Sequence, residues 1–210
     1  MRASALAWGL MLVGTVPFAA AAQAAPARQS FGLMGAANLS TLGGSGVTGS
    51  GNRAGISVGA FLRIPLAPSW SLQPELEYAA KGAQTSSISG TSLLVSTLDL
   101  RYVEMPLLFR VASSGSRGVH LFGEFGPAPA AELDCTLKAV QQGATVSLPC
   151  HHYLSVHSFD IGAMVGGGFE FPYDSHSVSL GVRYNLGMTT IATGGDAKNR
   201  NLQFVAGLWF

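Results

Sequence analysis

The chain has 210 residues, of which 48% are hydrophobic and only 11% are charged, and its formal net charge is +1. This balance lacks the basic surface typical of nucleic-acid-binding proteins, so we expect no nucleic-acid partner. After residue 24, no stretch has the roughly 18 consecutive apolar residues of a membrane-spanning helix, and such helices are excluded. An apolar composition without an apolar run is typical of strands that place alternate side chains in lipid.

Residues 1–24 are predicted to form a secretory signal peptide. Arg2 supplies the positive charge, a short apolar segment ends at Pro17, and Ala22-Gln-Ala24 matches the small-residue cleavage pattern. The apolar segment is too short to cross a bilayer as a helix. We therefore predict export, removal of the signal peptide, and a single domain over residues 25–210.

Eight segments of this domain alternate apolar and polar residues, which predicts β-strands. Every second residue from Val178 to Leu186, for example, is aliphatic or aromatic. The predicted strands are Phe31–Leu39, Gly55–Leu66, Trp70–Lys81, Thr97–Ala112, Gly118–Ala130, His157–Phe171, His176–Met188 and Asn201–Phe210.

The last predicted strand ends on an aromatic residue, Phe210. In an outer-membrane barrel the last strand pairs with the first, so that no sheet edge remains open. We therefore predict pairing of Asn201–Phe210 with Phe31–Leu39. By alternation Phe210 faces lipid, where we expect it to act as an assembly signal for the barrel-assembly machinery, and Trp209 lies inside the barrel mouth.

The connections between the predicted strands alternate strictly in length. Three are short, and the four others are long: Ser40–Ala54, Gly82–Ser96, Ala131–Val156 and Thr189–Arg200. This alternation favours an all-β fold, an eight-stranded antiparallel up-and-down transmembrane β-barrel, with periplasmic turns and termini and extracellular loops. A secreted soluble barrel shares the strand pattern, but 11% charge is low for a water-facing outer surface. We expect a monomer in the bacterial outer membrane, in contact with its lipid and lipopolysaccharide.

Four motifs resemble those of the PorT-like outer-membrane β-barrel proteins, a porin-like family. They are Ser71-Leu-Gln-Pro-Glu-Leu-Glu-Tyr78 with Lys81-Gly82, Tyr102-Val-Glu-Met-Pro-Leu-Leu108, Gly181-Val-Arg-Tyr-Asn-Leu-Gly187, and Lys198-Asn-Arg200 before the last strand. The similarity extends over the mature chain in matching order. It implies the fold and the location, and it carries no shared activity. The long third loop with two cysteines departs from the family pattern.

The side chains opposite the lipid-facing set carry most of the charges. Because an eight-stranded barrel has room inside only for side chains, we predict a packed polar network rather than a channel. The alternation changes phase near Tyr102–Met105, which predicts a β-bulge there. A proton or ion path and a catalytic carboxylate pair are alternatives for the same residues. The predicted interior residues are Arg63, Glu75, Glu77, Asp99, Arg101, Glu104, Arg110, Glu124, Asp160, Glu170 and Arg183.

Cys135 and Cys150 are the only cysteines, and an exported protein passes through an oxidising compartment. We predict a disulfide between them. By closing the loop, this disulfide would stabilise the fold by roughly 3 kcal/mol in the chain-entropy model. A zinc or copper site with His151, His152 and His157 is the alternative, although the spacing matches no standard structural zinc pattern.

No catalytic constellation is evident, and we predict neither an enzyme nor a cofactor. The His-Ser pairs, His157-Ser158 and His176-Ser177, point to opposite faces of a strand, so neither pair provides a nucleophile with its base. The Gly/Ser/Thr-rich loops Ser40–Ala54 and Gly82–Ser96 are expected to be solvated surface or an adhesive tip. We therefore expect a structural or surface-interaction role, with a lipid-modifying enzyme or a narrow small-solute channel as alternatives.

Overall fold

The computed structural model describes residues 29–45, 47, 50–89, 92–113, 118–142, 144–150, 156–191 and 196–210. The predicted signal peptide lies outside these residues. Among them, no helix has the length and apolar character needed to cross a membrane. The strands are β1 (Ser30–Gly43), β2 (Arg53–Ala67), β3 (Trp70–Ser89), β4 (Ser92–Glu104), β5 (Leu107–Ala112), β6 (His120–Gln141), β7 (Ala144–Pro149), β8 (Phe159–Tyr173), β9 (His176–Gly187) and β10 (Lys198–Trp209).

The strands close into an antiparallel ring with eight positions. β1 pairs with both β2 and β10, and the ring continues through β9, β8, β6, β4 with β5, and β3 back to β2. β4 and β5 are two parts of one long strand, interrupted at Pro106, which has no N–H to donate to the ladder. The Pro106 carbonyl still accepts from the Glu75 N–H at 2.9 Å. The predicted eight-stranded antiparallel barrel is confirmed.

The outer surface of the ring is apolar along most strands. Alternate residues point outward because successive side chains of a strand lie on opposite faces. Exposed side chains on this surface include Leu33, Val58, Leu76, Phe125, Val165, Val182 and Phe204. A water-facing barrel reverses this arrangement, so the exposed apolar surface fits lipid.

The two ends of the ring differ, and we name them by their connections. The turn end carries residues 68–69, 113, 118–119 and 174–175, together with the start of β1 and the end of β10. Asp174 adopts a positive φ of 53° in the tight β8–β9 connection, a conformation that Asp tolerates better than most residues. The loop end carries the β1–β2, β3–β4, β6–β7, β7–β8 and β9–β10 connections.

The strands at the loop end are longer than the sequence predicted. The predicted loop Gly82–Ser96 is wrong, because β3 and β4 pair from Glu77↔Glu104 out to Ser89↔Ser92. Glycine and serine are typical of loops, but this segment also contains Thr, Ile and Val, which favour strands. Gly82, with a φ of 140°, lies where β3 leaves the ring, and a Cβ there would be 1.9 Å from the Leu98 carbonyl oxygen. We call the outer parts of β3, β4 and β6, together with β7, the projecting sheet.

The predicted bulge within Tyr102–Met105 is also wrong. The irregularity lies on the partner strand: Arg101 pairs with Asp134 and Tyr102 with Glu132, so Leu133 of β6 is the extra residue. Because β6 absorbs it, the alternation in β4 and β5 continues unbroken, and Leu100 and Tyr102 point inward. Arg101 therefore lies on the outer surface, where its side chain is 51% exposed and 3.5 Å from Asp134.

Candidate functional site: the filled interior

Above the turn end, six charged residues from six strands form one connected network, which we call the arginine layer. Arg183 forms two hydrogen bonds of 2.8 Å with the two oxygens of Glu75, and its Nε donates to Glu124. Arg110 donates to Glu124 at 2.8 Å and also to Glu170. The layer consists of Arg63, Arg110, Arg183, Glu75, Glu124 and Glu170, so three positive charges meet three negative charges.

The arginine layer fills the cross-section of the ring. Arg63 stacks over the Trp209 ring at 4.0 Å and bonds Glu170 at 3.0 Å. The cavity within the layer has a volume of about 10 Å³. That is about the minimum that one water molecule occupies by this measure. The space between Arg110, Glu124 and Arg183 is therefore about that of one water molecule.

The next level towards the loop end contains two facing carboxylates, and we call it the acidic layer. Glu77 of β3 and Glu104 of β4 are direct register partners, 0% and 1% exposed. Lys81 pairs with Glu104, and the Gln203 side chain donates to Glu77 at 2.7 Å. Asn38 and Ser57 complete the layer, joined by a hydrogen bond of 2.7 Å.

Beneath the loop end the interior becomes apolar. A cluster of buried side chains, the apolar cap, consists of Leu100, Tyr102, Ala130, Cys135, Cys150 and Ile191. The Asn199 amide nitrogen donates to the Tyr102 hydroxyl at 3.2 Å and to Asp160 at 2.7 Å, so these two oxygens at the border of the cap have a partner. The cap separates the acidic layer from the loops.

The predicted disulfide is present and belongs to this cap. Cys135 of β6 and Cys150, directly after β7, are bonded and buried. The bond fixes β7 against β6 at the base of the projecting sheet. Because both sulfurs are in the disulfide, neither is a thiolate ligand for a metal. His151 and His152 lie outside the described residues, and among those described no group of three or more His, Cys, Asp or Glu side chains could hold a metal.

Nine of the eleven predicted interior residues are buried, and Arg63 of the arginine layer is half-buried. Two of the buried residues lie outside the layers described above. Asp99 pairs with Arg53 and, at 2.6 Å, with Lys138 near the loop end. Asp160 accepts hydrogen bonds from Thr189 and Asn199. Arg101 is the exception for the reason given above.

The sequence prediction missed Lys81 and the uncharged members of the interior. Lys81 shares the inward face of β3 with Glu75 and Glu77, so alternation alone was a sufficient signal for it. Asn38 and Gln203 lie on the inward faces of β1 and β10. No comparable signal indicated Leu100 or Tyr102, because apolar residues in such a strand are expected to face lipid.

The closure of the ring follows the predicted pairing of first and last strands. The Phe210 N–H donates to the Phe31 carbonyl at 2.9 Å, and its side chain is exposed on the outer surface. Its ring contacts His176 edge-on, with centroids 4.8 Å apart. Trp209 points inward and packs against Phe61. His176 is therefore engaged in a contact at the turn end, while His157 and Ser158 are exposed at the other.

Three solved structures illustrate the proteins to which the fold is similar. Neisserial surface protein A is 14% identical, with a TM-score of 0.48, over 85% of this chain and 95% of that one. OprG from Pseudomonas aeruginosa is 12% identical, with a TM-score of 0.49, over 87% and 95%. The outer membrane enzyme PagL is 11% identical, with a TM-score of 0.34, over 83% and 97%. Similarity at this level assigns no activity.

No curated protein sequence matches the chain. A family model does: the outer membrane protein β-barrel domain matches residues 21–193. This range covers most of the chain and nine of the ten strands in full. The chain belongs to the outer membrane protein β-barrel domain family.

Proposed function

We propose that the protein anchors and presents the projecting sheet at the cell surface and that it catalyses no reaction. The observation that carries the proposal is the filled interior: the arginine layer, the acidic layer and the apolar cap follow one another across the ring. A barrel filled at three levels supports a rigid anchor better than a conduit. The part left to interact is the surface beyond the loop end.

The projecting sheet has the properties of an interaction surface. Among the described residues β7 pairs with β6 alone, so its second edge is open to an added strand. All six residues of β7 are exposed, including Val146 and Leu148, and none is charged. Most proteins protect an open edge with charges or bulges, and an uncharged edge is suited to binding an extended chain.

The proposal includes an orientation and a set of neighbours. The loop end is placed outside the cell and the turn end in the periplasm, with the signal peptide removed during export. The apolar outer surface contacts outer-membrane lipid and lipopolysaccharide, and the protein works as a monomer. Phe210, exposed at the end of the closing strand, serves as the signal for the barrel-assembly machinery.

Within the family we assign the chain to the PorT-like proteins. The support is the four motifs in their shared order. All four contribute buried residues: the first provides Glu75 and Glu77, the second Glu104, the third Arg183 and the fourth Asn199. A PorT-like assignment adds no activity to the proposal.

Two measurements on the intact protein test this function. An epitope inserted after Gln142 should be labelled by antibody on intact cells, and the same epitope inserted after Pro68 should be labelled only after permeabilisation. Purified protein in planar bilayers should produce no single-channel steps. Reproducible steps, or labelling of the Pro68 insertion on intact cells, would contradict the proposal. A change in lipid A mass on expression would instead support a lipid-modifying enzyme.

A further inference from the structure

The acidic layer contains buried oxygens that lack hydrogen-bond donors. Four of them accept no hydrogen bond from any residue that the structure describes: Oε2 of Glu77, Oε2 of Glu104, Oδ1 of Asn38 and Oε1 of Gln203. The parent residues are at most 1% exposed. An unsatisfied buried polar atom costs about 1–3 kcal/mol, and more when it is charged, so four in one cluster indicate a missing binding partner.

The two amide orientations in this cluster are fixed by a backbone carbonyl and an ionised carboxylate, both of which accept hydrogen bonds. The Asn38 Nδ2 donates to the Ala80 carbonyl at 3.2 Å, and the Gln203 Nε2 donates to a Glu77 carboxylate oxygen at 2.7 Å. Exchanging the nitrogen and oxygen of either amide would place two acceptors against each other. The free atoms of both amides are therefore oxygens, and all four unsatisfied atoms are acceptors.

The four side chains form one connected group on four strands. Asn38 and Gln203 are register partners on β1 and β10, as Glu77 and Glu104 are on β3 and β4. The hydrogen bond from Gln203 to Glu77 joins the two pairs. Like charges directly opposite each other in a sheet are destabilising, so the facing carboxylates need a neutralising species.

The net charge of the acidic layer indicates which neutralising species it needs. The two carboxylates of the acidic layer face one ammonium, that of Lys81, and one negative charge is left over. Water satisfies hydrogen bonds but adds no charge. A proton on one carboxyl neutralises the layer but donates to a single acceptor. A monovalent metal cation neutralises the charge, and oxygens are the ligands that hard cations prefer.

We propose that the acidic layer binds one monovalent hard cation, of the sodium type, through oxygens of Glu77, Glu104, Asn38 and Gln203. The site lies between the arginine layer and the apolar cap. Because both neighbours are packed, the cation enters as the barrel folds and leaves only when it opens. The site stabilises the fold, and it is independent of the surface role proposed above.

The test compares refolded full-length protein in sodium chloride and in choline chloride, at matched ionic strength and fixed neutral pH, with urea as the denaturant. Sodium should raise the folding equilibrium constant by about tenfold, the effect of a ligand at about ten times its Kd. Atomic emission after desalting into choline buffer should find about one sodium per chain, because the site is enclosed. Equal stability in the two salts, without retained sodium, would overturn the proposal and assign the missing charge to a proton.

Two variants test whether the sodium effect on stability comes from the acidic layer. Glu77→Gln removes the surplus charge without changing the side-chain shape, and its stability should be the same in sodium and choline. Asp134→Asn, a matched change of an exposed carboxylate, should keep the sodium effect. A sodium effect that survives in Glu77→Gln, or one that disappears in Asp134→Asn, contradicts the site. Stronger stabilisation by calcium than by sodium contradicts the charge count. The wild-type measurements remain decisive if Glu77→Gln does not fold.

Discussion

The arginine layer and the acidic layer lie one above the other inside the same ring, and they differ in how their buried charges are balanced. In the arginine layer each carboxylate contacts at least one guanidinium, and the charges sum to zero. In the acidic layer two facing carboxylates share one ammonium, and each keeps an unsatisfied oxygen. A planar guanidinium bridges two carboxylates, whereas an ammonium acts as a point charge. The first layer is electrically neutral, although the Arg110 Nε has no hydrogen-bond partner among the described residues. The second layer carries the surplus negative charge for which the cation is proposed.

The largest expected effect comes from removing the central cation of the arginine layer. Arg183→Met leaves Glu75 without an arginine and Glu124 with only Arg110. Breaking a buried pair costs about 3–5 kcal/mol, so the free energy of unfolding, measured by urea titration in lipid vesicles, should fall by that amount. Arg101→Met is the control, because that exposed pair is worth at most about 1 kcal/mol. Equal effects of both variants would mean that the arginine layer is not the main polar support.

The second prediction concerns the disulfide of the apolar cap. Replacing Cys135 and Cys150 with Ser opens a loop of 15 residues, for which the chain-entropy model gives a loss of about 3 kcal/mol. Because the bond lies near the loop end, we expect part of this loss as local opening of β7 rather than global unfolding. Limited proteolysis should cleave the double variant between β6 and β7 while the ring stays resistant. An unchanged cleavage pattern would show that the β6–β7 pairing suffices.

A third comparison applies one conservative substitution to both layers, in sodium-free buffer. Glu124→Gln removes a charge held between Arg110 and Arg183, and charge-assisted hydrogen bonds are worth about 1.5–3 kcal/mol. Glu77→Gln instead removes repulsion from Glu104, and its amide can donate to the free Glu104 oxygen. We expect loss of stability in the first variant and no loss in the second. Similar losses would remove the distinction between the two layers.

The inward and outward faces of the strands and the closure of the ring were predictable from sequence. The faces depend on the two-residue period of a strand, and closure depends on the number of strands. The burial of Glu75 or Arg183 follows from the same rule. The outward placement of Arg101 was not predictable. An extra residue on the partner strand, Leu133, leaves the alternation of inward and outward side chains in β4 unbroken. The pairing of charges was equally inaccessible, since it depends on the stagger of strands distant in sequence. Gly82 looked like a loop residue because glycine occurs both in loops and at strand irregularities.

The smallest expected effect lies outside both layers, in the loop contact between Ser45 and Asp196. The Ser45 backbone N–H at 3.5 Å, followed by Lys198 at 3.3 Å, lowers the pKa of the Asp196 carboxyl below its ordinary value. A lowered folded-state pKa means that this contact stabilises the loop above the ordinary carboxyl pKa and is lost as pH falls through the lowered value. In NMR titrations the Ser45 amide resonance should shift only in that acidic range. Asp196→Asn should abolish the shift, while the interior layers stay unchanged because the contact is at the surface. A titration of the Ser45 amide that persists in Asp196→Asn would assign it to another group.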